Sequence, residues 1–576
     1  MILQALVQYY EDLARQDKLP RQGWCRTKVS YGINLSRDGD INNILFLKNE
    51  IQMGKKKVWD ATMMTVPAMV TRSSGIASNF LCDNSKYLLG IDKDGTGKRI
   101  TECFQAAKEK HLNMLNNISC EMAEAICAFF HKWNPEKARE NKIILDNWEE
   151  ITDGGNLIFC MNNHYAQENE VIAKAWDDAH KETVTDIEGI CLVTGKRTEI
   201  SRIHRNIKGV AGAQSSGAAL VSFNASAFES YGKEQSYNAP VGKYAEFAYT
   251  SALNYLLSER KYTFSLGDST VVYWSEKAKK EYQDLLLAVL NPIKDNQDEI
   301  HDIFEKMRKD EEIIIDDIKL NLAQKFYILC LAPNAARLSV RFFYQNSLGS
   351  ILKNLAKHYE RIQMVRPKWA EDKYLGVEAM LKETVNMNSR DKKPVSNMAS
   401  MVFLSILQDT RYPVSLYTDT LIRIRSEQGN VTWGRAAIIK AYMIKNYKNM
   451  EGEKYMGLNE DCNDTAYVLG RLFSVLESIQ TDANPGIKST IRDRYFNSAC
   501  ATPAMVFPVL VKLKNSHIKK MEREKESSKI YYEKILTSIM DKLDTYPKRL
   551  SLEEQGKFIL GYYHQMQKKY EKREEK

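Results

Sequence analysis

The sequence predicts an α+β protein: a mixed, sheet-containing N-terminal region followed by an all-α C-terminal helical bundle. Three observations carry this. Two strand-like runs flank Asp38-Gly39 in KVSYGINLSRDGDINNILFL, a strong hairpin signal. The run Arg337 to Tyr344 alternates, with Arg337, Ser339 and Arg341 on one face and Leu338, Val340 and Phe342 on the other. From about Lys373 onward the apolar spacing becomes helical and stays so.

In chain order, MILQALVQYYEDLARQ carries acids inside an apolar pattern and has no basic leader with a long apolar run, so it reads as an amphipathic helix and not a signal peptide. After the hairpin, TVPAMVTRSSGIASNFLCDNSKYLLGI mixes short apolar pieces with Ser, Gly and Asn, which reads as strands and loops. Thr101 to Trp133 has helical spacing, and ENKIILDNWEEITDGGNLIFCMN gives a helix and then a strand. Ala219 to Asn224 and Thr270 to Ser275 are further strand candidates, and Asn386 to Asn397 is a polar linker. Toward the C-terminus, Val468, Leu469, Leu472, Phe473, Leu476 and Ile479 form one apolar stripe, and Ile530, Tyr531, Ile535, Ile539 and Leu543 another. Ser551 with Glu554 supplies a capping box for a last helix. The expected divisions are an α+β domain over 1–372, a helical connecting region over 373–455, and a bundle over 456–576 able to stand alone.

With 576 residues the chain exceeds what one core usually supports. A net charge of +8, from 82 Lys and Arg against 74 Asp and Glu, permits a polyanionic partner without demanding one. The 30 tyrosines add stacking platforms. Ten cysteines show no CxxC and no zinc-finger spacing with histidine, so reduced thiols, a cytoplasmic location and no metal centre are expected. No apolar run reaches membrane-spanning length, and no membrane partner is expected.

The segment from Ile203 to Leu257 is the most informative, because it combines glycines, small hydroxyls, amides and tyrosines. Its core, GAQSSGAALVSFN, suits either a nest of backbone N–H groups and hydroxyls for a nucleic acid or a tight turn entering a strand. The Gln214 amide can both donate and accept at a base edge. Gly95-Thr96-Gly97-Lys98 imitates the end of a phosphate-binding loop, but Asp92 stands at the first glycine position and Arg99 follows the lysine. As a calcium loop it also fails, because Cys103 occupies the place of the bidentate glutamate, so a hairpin turn is the better reading. Nine histidines are isolated, with neither HD nor HExxH, and no constellation for nuclease, ATPase or nucleophilic chemistry is found. No catalytic residue and no cofactor is therefore expected. A DNA- or RNA-cleaving nuclease is the alternative, and it would need a metal cluster or a catalytic histidine.

Taken together, MILQALVQYYEDL, KVSYGINL, RSSGIASNFLCDNSKYLLG, CLVTGKRTEISRIHRNIKGVAGAQSSGAALVSFNASAFESYGKEQSYNAP, PNAARLSVRFF and YVLGRLFSVLESIQ closely resemble the large subunit of the type I-C CRISPR surveillance complex Cascade. The matches span essentially the whole chain in the family's order. The resemblance implies a non-enzymatic subunit that contacts the handle end of the guide CRISPR RNA. It would read the protospacer-adjacent motif in double-stranded target DNA, help open the duplex, stabilise the R-loop and help recruit a helicase-nuclease. Its other partners would be the displaced single strand and the backbone, handle-binding and small subunits of the complex, in a prokaryotic cytoplasm.

Under that resemblance Gln214, Ser215, Ser216 and Gly217 are the candidates for motif reading, with Asn79, Asn84 and Lys86 as a second wall. Arg72, His204, Arg205, Lys208, Arg337 and Arg341 are candidates for phosphate. Tyr231 and Tyr237 are candidates for stacking on unpaired bases, whereas Tyr244 enters a helix and reads as packing. Lys512, Lys514, Lys519, Lys520 and Arg523 could follow a backbone, although such a lysine-rich helix is equally a solvated face. The resemblance also implies a separate small subunit started internally, for which Met456 is the matching place. The preceding Glu451-Gly452-Glu453 can be encoded by a purine-rich, ribosome-binding core.

Overall fold

The computed structural model describes residues 1–53, 56–70, 75–182, 187–278, 280–290, 292, 296–309, 311–315, 318–370, 373–395, 397–447, 451–524 and 526–571. The chain forms two compact units, one of Met1–Arg205 with Val221–Ala252 and the other of Asn206–Leu220 with Leu253–Lys576. The polypeptide thus passes between them three times, after Arg205, Leu220 and Ala252. These boundaries fall elsewhere than the divisions at 372 and 455.

In the first unit, the helix Ile2–Arg15 buries Leu6, Val7, Tyr9, Tyr10 and Leu13, as its amphipathic spacing requires. The strands β1 (Trp24–Leu35), β2 (Ile41–Phe46), β3 (Lys48–Met53), β4 (Lys56–Pro67), β5 (Cys82–Asp83), β6 (Asn156–Met161) and β7 (His164–Tyr165) build one mixed sheet. Its order is β3-β4-β1-β6-β5, with β2 also on β1 and β7 on β6. The predicted hairpin at Asp38-Gly39 joins β1 to β2. β1 serves two antiparallel partners because β4 pairs with its first half, Trp24 to Val29, and β2 with its second, Tyr31 to Leu35. Its parallel partner is β6. The expected helix over Thr101 to Trp133 is two helices, Lys98–Leu115 and Glu121–Lys132. They cover one sheet face in a core that includes Tyr31, Ile33, Phe104, Ile126, Phe129, Phe130 and Phe159. Burial of each such side chain contributes about 1.5–3 kcal/mol. A short ribbon of β8 (Glu188–Ile190) and β9 (Arg197–Glu199) completes the strands of this unit.

The second unit holds β10 (Thr263–Leu266), β11 (Ser269–Ser275), β12 (Ile314–Ile315), β13 (Ile318–Lys319), β14 (Lys325–Asn334) and β15 (Arg337–Ser347). β10, β11, β14 and β15 form an antiparallel sheet in that order, and β12 pairs with β13. The predicted alternation in β15 is interrupted. Val340 faces Leu331 and Phe342 faces Cys330, so Arg341 is the extra residue of a bulge. The bulge turns Phe342 and Tyr344 to the face opposite Val340; Leu338, Phe342 and Tyr344 are buried, whereas Val340 is 40 % exposed. The strand expected at Ala219 to Asn224 does not form. Ala219 makes one parallel bridge, to Arg337 at the start of β15, and the residues after it do not continue the pairing along that strand.

Helices follow, and those at Leu348–Ile362, Met398–Gln408, Trp433–Asn446, Thr465–Ala483 and Leu552–Glu571 share one hydrophobic core with the sheet. Residues 456–576 therefore pack into a core that begins well before them. All six residues of the first predicted stripe are buried. The second stripe is rotated by about one residue: Tyr532, Leu536 and Ile539 are buried, while Ile530 and Tyr531 are exposed. The capping box forms, with Ser551 N–H donating to Glu554 Oε2 at 2.7 Å and Glu554 N–H to Ser551 Oγ at 3.3 Å. Two helices meet backbone to backbone: a Cβ on Gly470 would lie 1.9 Å from the Phe558 carbonyl oxygen, and one on Gly561 2.1 Å from that of Tyr467.

Beneath the chain at Met456, the buried Lys440 donates to the carbonyls of Gln363 (2.6 Å) and Arg361 (3.2 Å) and touches Met456 Sδ at 3.3 Å. Burial lowers its pKa to about 8. Among the described residues no helix is long and apolar enough to cross a membrane.

Candidate nucleic-acid interface

The segment Asn206–Leu220 is irregular, yet it is closely held. Ile207 and Ala218, both fully buried, exchange two N–H···O bonds of 2.9 Å that close the base of a loop. On one limb, Lys208 N–H donates to Asn254 Oδ1 (2.7 Å), whose Nδ2 donates back to the Asn206 carbonyl (3.2 Å). Ala211 N–H donates to Thr270 Oγ1 at 3.0 Å, and Val210 is buried. On the other limb, Ala219 N–H donates to the Ala336 carbonyl and the Ala219 carbonyl accepts from Leu338 N–H, both at 2.9 Å.

Gly217 makes the closure possible. Its φ is +94°, and a Cβ there would stand 2.9 Å from both Asn206 Cβ and the Ile207 carbonyl oxygen. Its N–H donates to the Gln214 carbonyl at 2.9 Å, so Gln214 to Gly217 is the turn at the tip. Gln214, Ser215 and Ser216 are exposed there, whereas Gly217 is buried. Gly217 is thus a framework residue, and three polar side chains stand on a base fixed by backbone bonds. Such a tip can enter a groove without paying loop-ordering entropy. Lys208 is exposed on the same loop.

Other candidates in this unit are differently placed. Arg341, at the bulge, pairs with Asp268 at 3.3 Å and is three-quarters buried, so its charge is already matched. Arg337, half-buried, begins β15 next to Ala219. On the helix Pro503–Glu524, Lys512, Lys519, Lys520 and Arg523 are exposed and Lys514 is half-buried. The 3.6-residue repeat puts Lys512, Lys519 and Arg523 in one stripe with Lys520 beside it, and turns Lys514 to the far side.

The first unit holds the remaining candidates. His204 is buried: its Nδ1 lies 2.6 Å from the Tyr249 hydroxyl, and burial lowers its pKa, so the ring is neutral and shielded where a phosphate ligand was expected. Arg205 is half-exposed, but its Nε donates to both carboxylate oxygens of buried Glu246 (3.2 and 3.3 Å) and its guanidinium lies 4.6 Å over Phe247. Asn79 is also buried, with its Oδ1 accepting from Val70 N–H at 2.9 Å, a loop-bracing role in place of the predicted wall. Asn84 caps the short helix Ser85–Leu88 by accepting from Lys86 N–H at 3.1 Å. Lys86 is exposed and pairs with Asp92 at 3.4 Å. Arg72 lies outside the described residues.

Tyr231 is 99 % exposed at φ +54°, followed by Gly232 at +67°, in a turn closed by Lys233 N–H to the Ser230 carbonyl at 3.0 Å. Two successive positive φ values are those of a type I′ turn. Asn238 secures it, accepting from Ser230 N–H (2.8 Å) and donating to the carbonyls of Lys233 (2.7 Å) and Gln235 (2.9 Å). Tyr237 is half-buried behind this turn, and Tyr244 packs edge-on against Tyr10 at 6.3 Å. The sequence reading did not single out Phe46 and Trp59, which are 50 % and 60 % exposed, because an aromatic in a strand-like run has the pattern of core.

Among the described residues, no group of three or more His, Cys, Asp or Glu side chains could hold a metal ion. The model of the family described as CRISPR-associated protein (Cas_Csd1) matches residues 6–570. No curated protein matches the chain.

Proposed function

The chain belongs to this CRISPR-associated family, and we propose that it is the non-catalytic large subunit of a type I-C Cascade. In that role it reads the protospacer-adjacent motif, starts duplex opening, stabilises the R-loop and helps recruit the helicase-nuclease. The observation that carries the proposal is the braced loop with Gln214, Ser215 and Ser216 exposed at its tip. Guide pairing reads the long target, so the protein needs only a few edge contacts to a short duplex. The Gln214 amide supplies a bidentate contact of the kind that discriminates bases by about 1–3 kcal/mol. Lys208, on the same loop, supplies a sequence-blind phosphate contact.

Binding of the assembled complex to a library of flanking motifs tests this. Gln214→Ala should flatten motif preference, while Lys208→Ala should weaken all sequences alike and lower the salt slope by about one. Equal losses across motifs for Gln214→Ala would remove it from the reading role. Cleavage of labelled guide precursor or DNA by the purified chain with a divalent metal, abolished by one point substitution, would establish a nuclease instead.

Met456, the proposed internal start, has its carbonyl bonded to Val365 N–H at 2.7 Å in the full chain. Silent recoding of Glu451 to Glu453 should abolish a co-purifying product of Met456 to Lys576, and its persistence would rule out this start site.

A further inference from the structure

At Leu47 one strand changes partners: β2 pairs with β1, β3 pairs with β4, and Leu47 bridges them by donating to the Ser30 carbonyl and accepting from Thr62 N–H, both at 2.9 Å. Phe46 and Lys48 flank this point and, two residues apart on extended chain, share a face. Phe46 stands opposite Tyr31, which is 2 % exposed and belongs to the core. A ladder of rings leads outward from there. Tyr31 and Phe46 meet edge to face at 5.9 Å between centroids, and Phe46 and Trp59 likewise at 5.4 Å.

Lys48 Nζ donates to the Tyr31 hydroxyl (2.7 Å) and lies 4.6 Å from the Tyr31 ring centroid and 5.5 Å from that of Phe46. Among the described residues no carboxylate is within ion-pair distance of it. Two adjacent exposed rings with an ammonium fixed at their base form a ready platform for a base and its phosphate.

We propose that Phe46, Trp59 and Lys48 form a stacking site for the displaced single strand of the target DNA. The proposal deepens the nucleic-acid role argued above and rests on it. A duplex keeps its bases stacked on one another, so only unpaired bases can use these rings. No ion pair with a carboxylate holds the cation among the described residues, although Asp153 is near enough to feel its charge and Glu50 stands opposite Trp59. An ammonium beside the rings favours a phosphate over an apolar peptide. Stacking tolerates any base, which suits a strand whose sequence changes with every target. A constant guide end would call for edge contacts instead.

The test uses the full-length chain and fluorescence anisotropy with labelled single-stranded DNA of several mixed sequences, and RNA of the same lengths. The wild type should bind all the DNAs alike. Trp59→Ala and Phe46→Ala should each weaken binding roughly tenfold, Trp59→Phe should restore most of it, and Lys48→Ala should lower the salt slope by about one. DNA affinities within about twofold of wild type in both alanine variants would overturn the assignment. So would RNA bound more tightly than DNA and lost in those variants. Gln214→Ala, measured in parallel on motif-bearing duplex, separates the two sites: a null result there with single-strand losses intact counts against motif reading alone, and the reverse counts against the platform alone.

Discussion

Gly217→Ala perturbs the closure of the motif loop without touching its exposed side chains. An L-residue at φ +94° costs about 1–2 kcal/mol. The new Cβ would also meet the Ile207 carbonyl oxygen at 2.9 Å, and relief separates the Ile207–Ala218 rung with its two hydrogen bonds. Each is worth about 1 kcal/mol net, so the loop loses roughly 3–4 kcal/mol of local stability. Amide exchange at Ile207 and Ala218 should then accelerate by roughly two to three orders of magnitude. Binding to motif-bearing duplex should fall at least tenfold, while the melting temperature of the whole chain barely moves. Gly195→Ala is the control, because its φ is +70° but a Cβ there meets nothing within 4 Å. Wild-type exchange and wild-type motif binding in Gly217→Ala would refute the claim that this rung sets the tip.

Gly470→Ala and Gly561→Ala should each cost more than the usual 1–3 kcal/mol of overpacking, because the obstructing atoms are backbone carbonyls at 1.9 and 2.1 Å, and denaturant midpoints will show it. Lys440 has a lowered folded pKa of about 8, so between that value and its unfolded value near 10.4 the unfolded chain binds more protons and stability rises with pH. The stability of Lys440→Met minus that of wild type should therefore fall as pH goes from 8 to 10, and a flat difference would contradict the assignment. Tyr231→Gly should leave stability nearly unchanged, since relief of the positive φ offsets the added freedom of glycine. The same variant should slow duplex opening reported by 2-aminopurine beside the motif, and wild-type opening would remove Tyr231 from the stacking role.

Much of the architecture is local and was readable. The Asp38-Gly39 hairpin, the Ser551–Glu554 capping box and the buried stripe from Val468 to Ile479 each depend on residues within a few positions of one another. What failed depends on distant partners. The bulge at Arg341 exists only against β14, and the single bridge at Ala219 is to Arg337, 118 positions away. The stripe around Ile530 is ambiguous by one residue, because Tyr531 and Tyr532 are both apolar enough to face inward. In the candidate site, residue type identified polar groups but not their exposure. His204 and Asn79 are buried by tertiary packing, while Gln214 to Ser216 stand in solvent. Phe46 and Trp59 show the converse, as ring residues that the fold leaves outside its core.

The three passages of the chain between its compact units, after Arg205, Leu220 and Ala252, bear on how the protein can be taken apart. No single cut yields the second unit whole, and none yields the first without Asn206–Leu220 attached. A truncation before Asn206 discards Val221–Ala252 from the first unit, and one after Ala252 strands Asn206–Leu220 without Asn254, Thr270 and Leu338. A protease nick inside the motif loop would likewise leave each piece carrying segments of both units. The loop is inherited with the whole chain and cannot be grafted or deleted as a cassette.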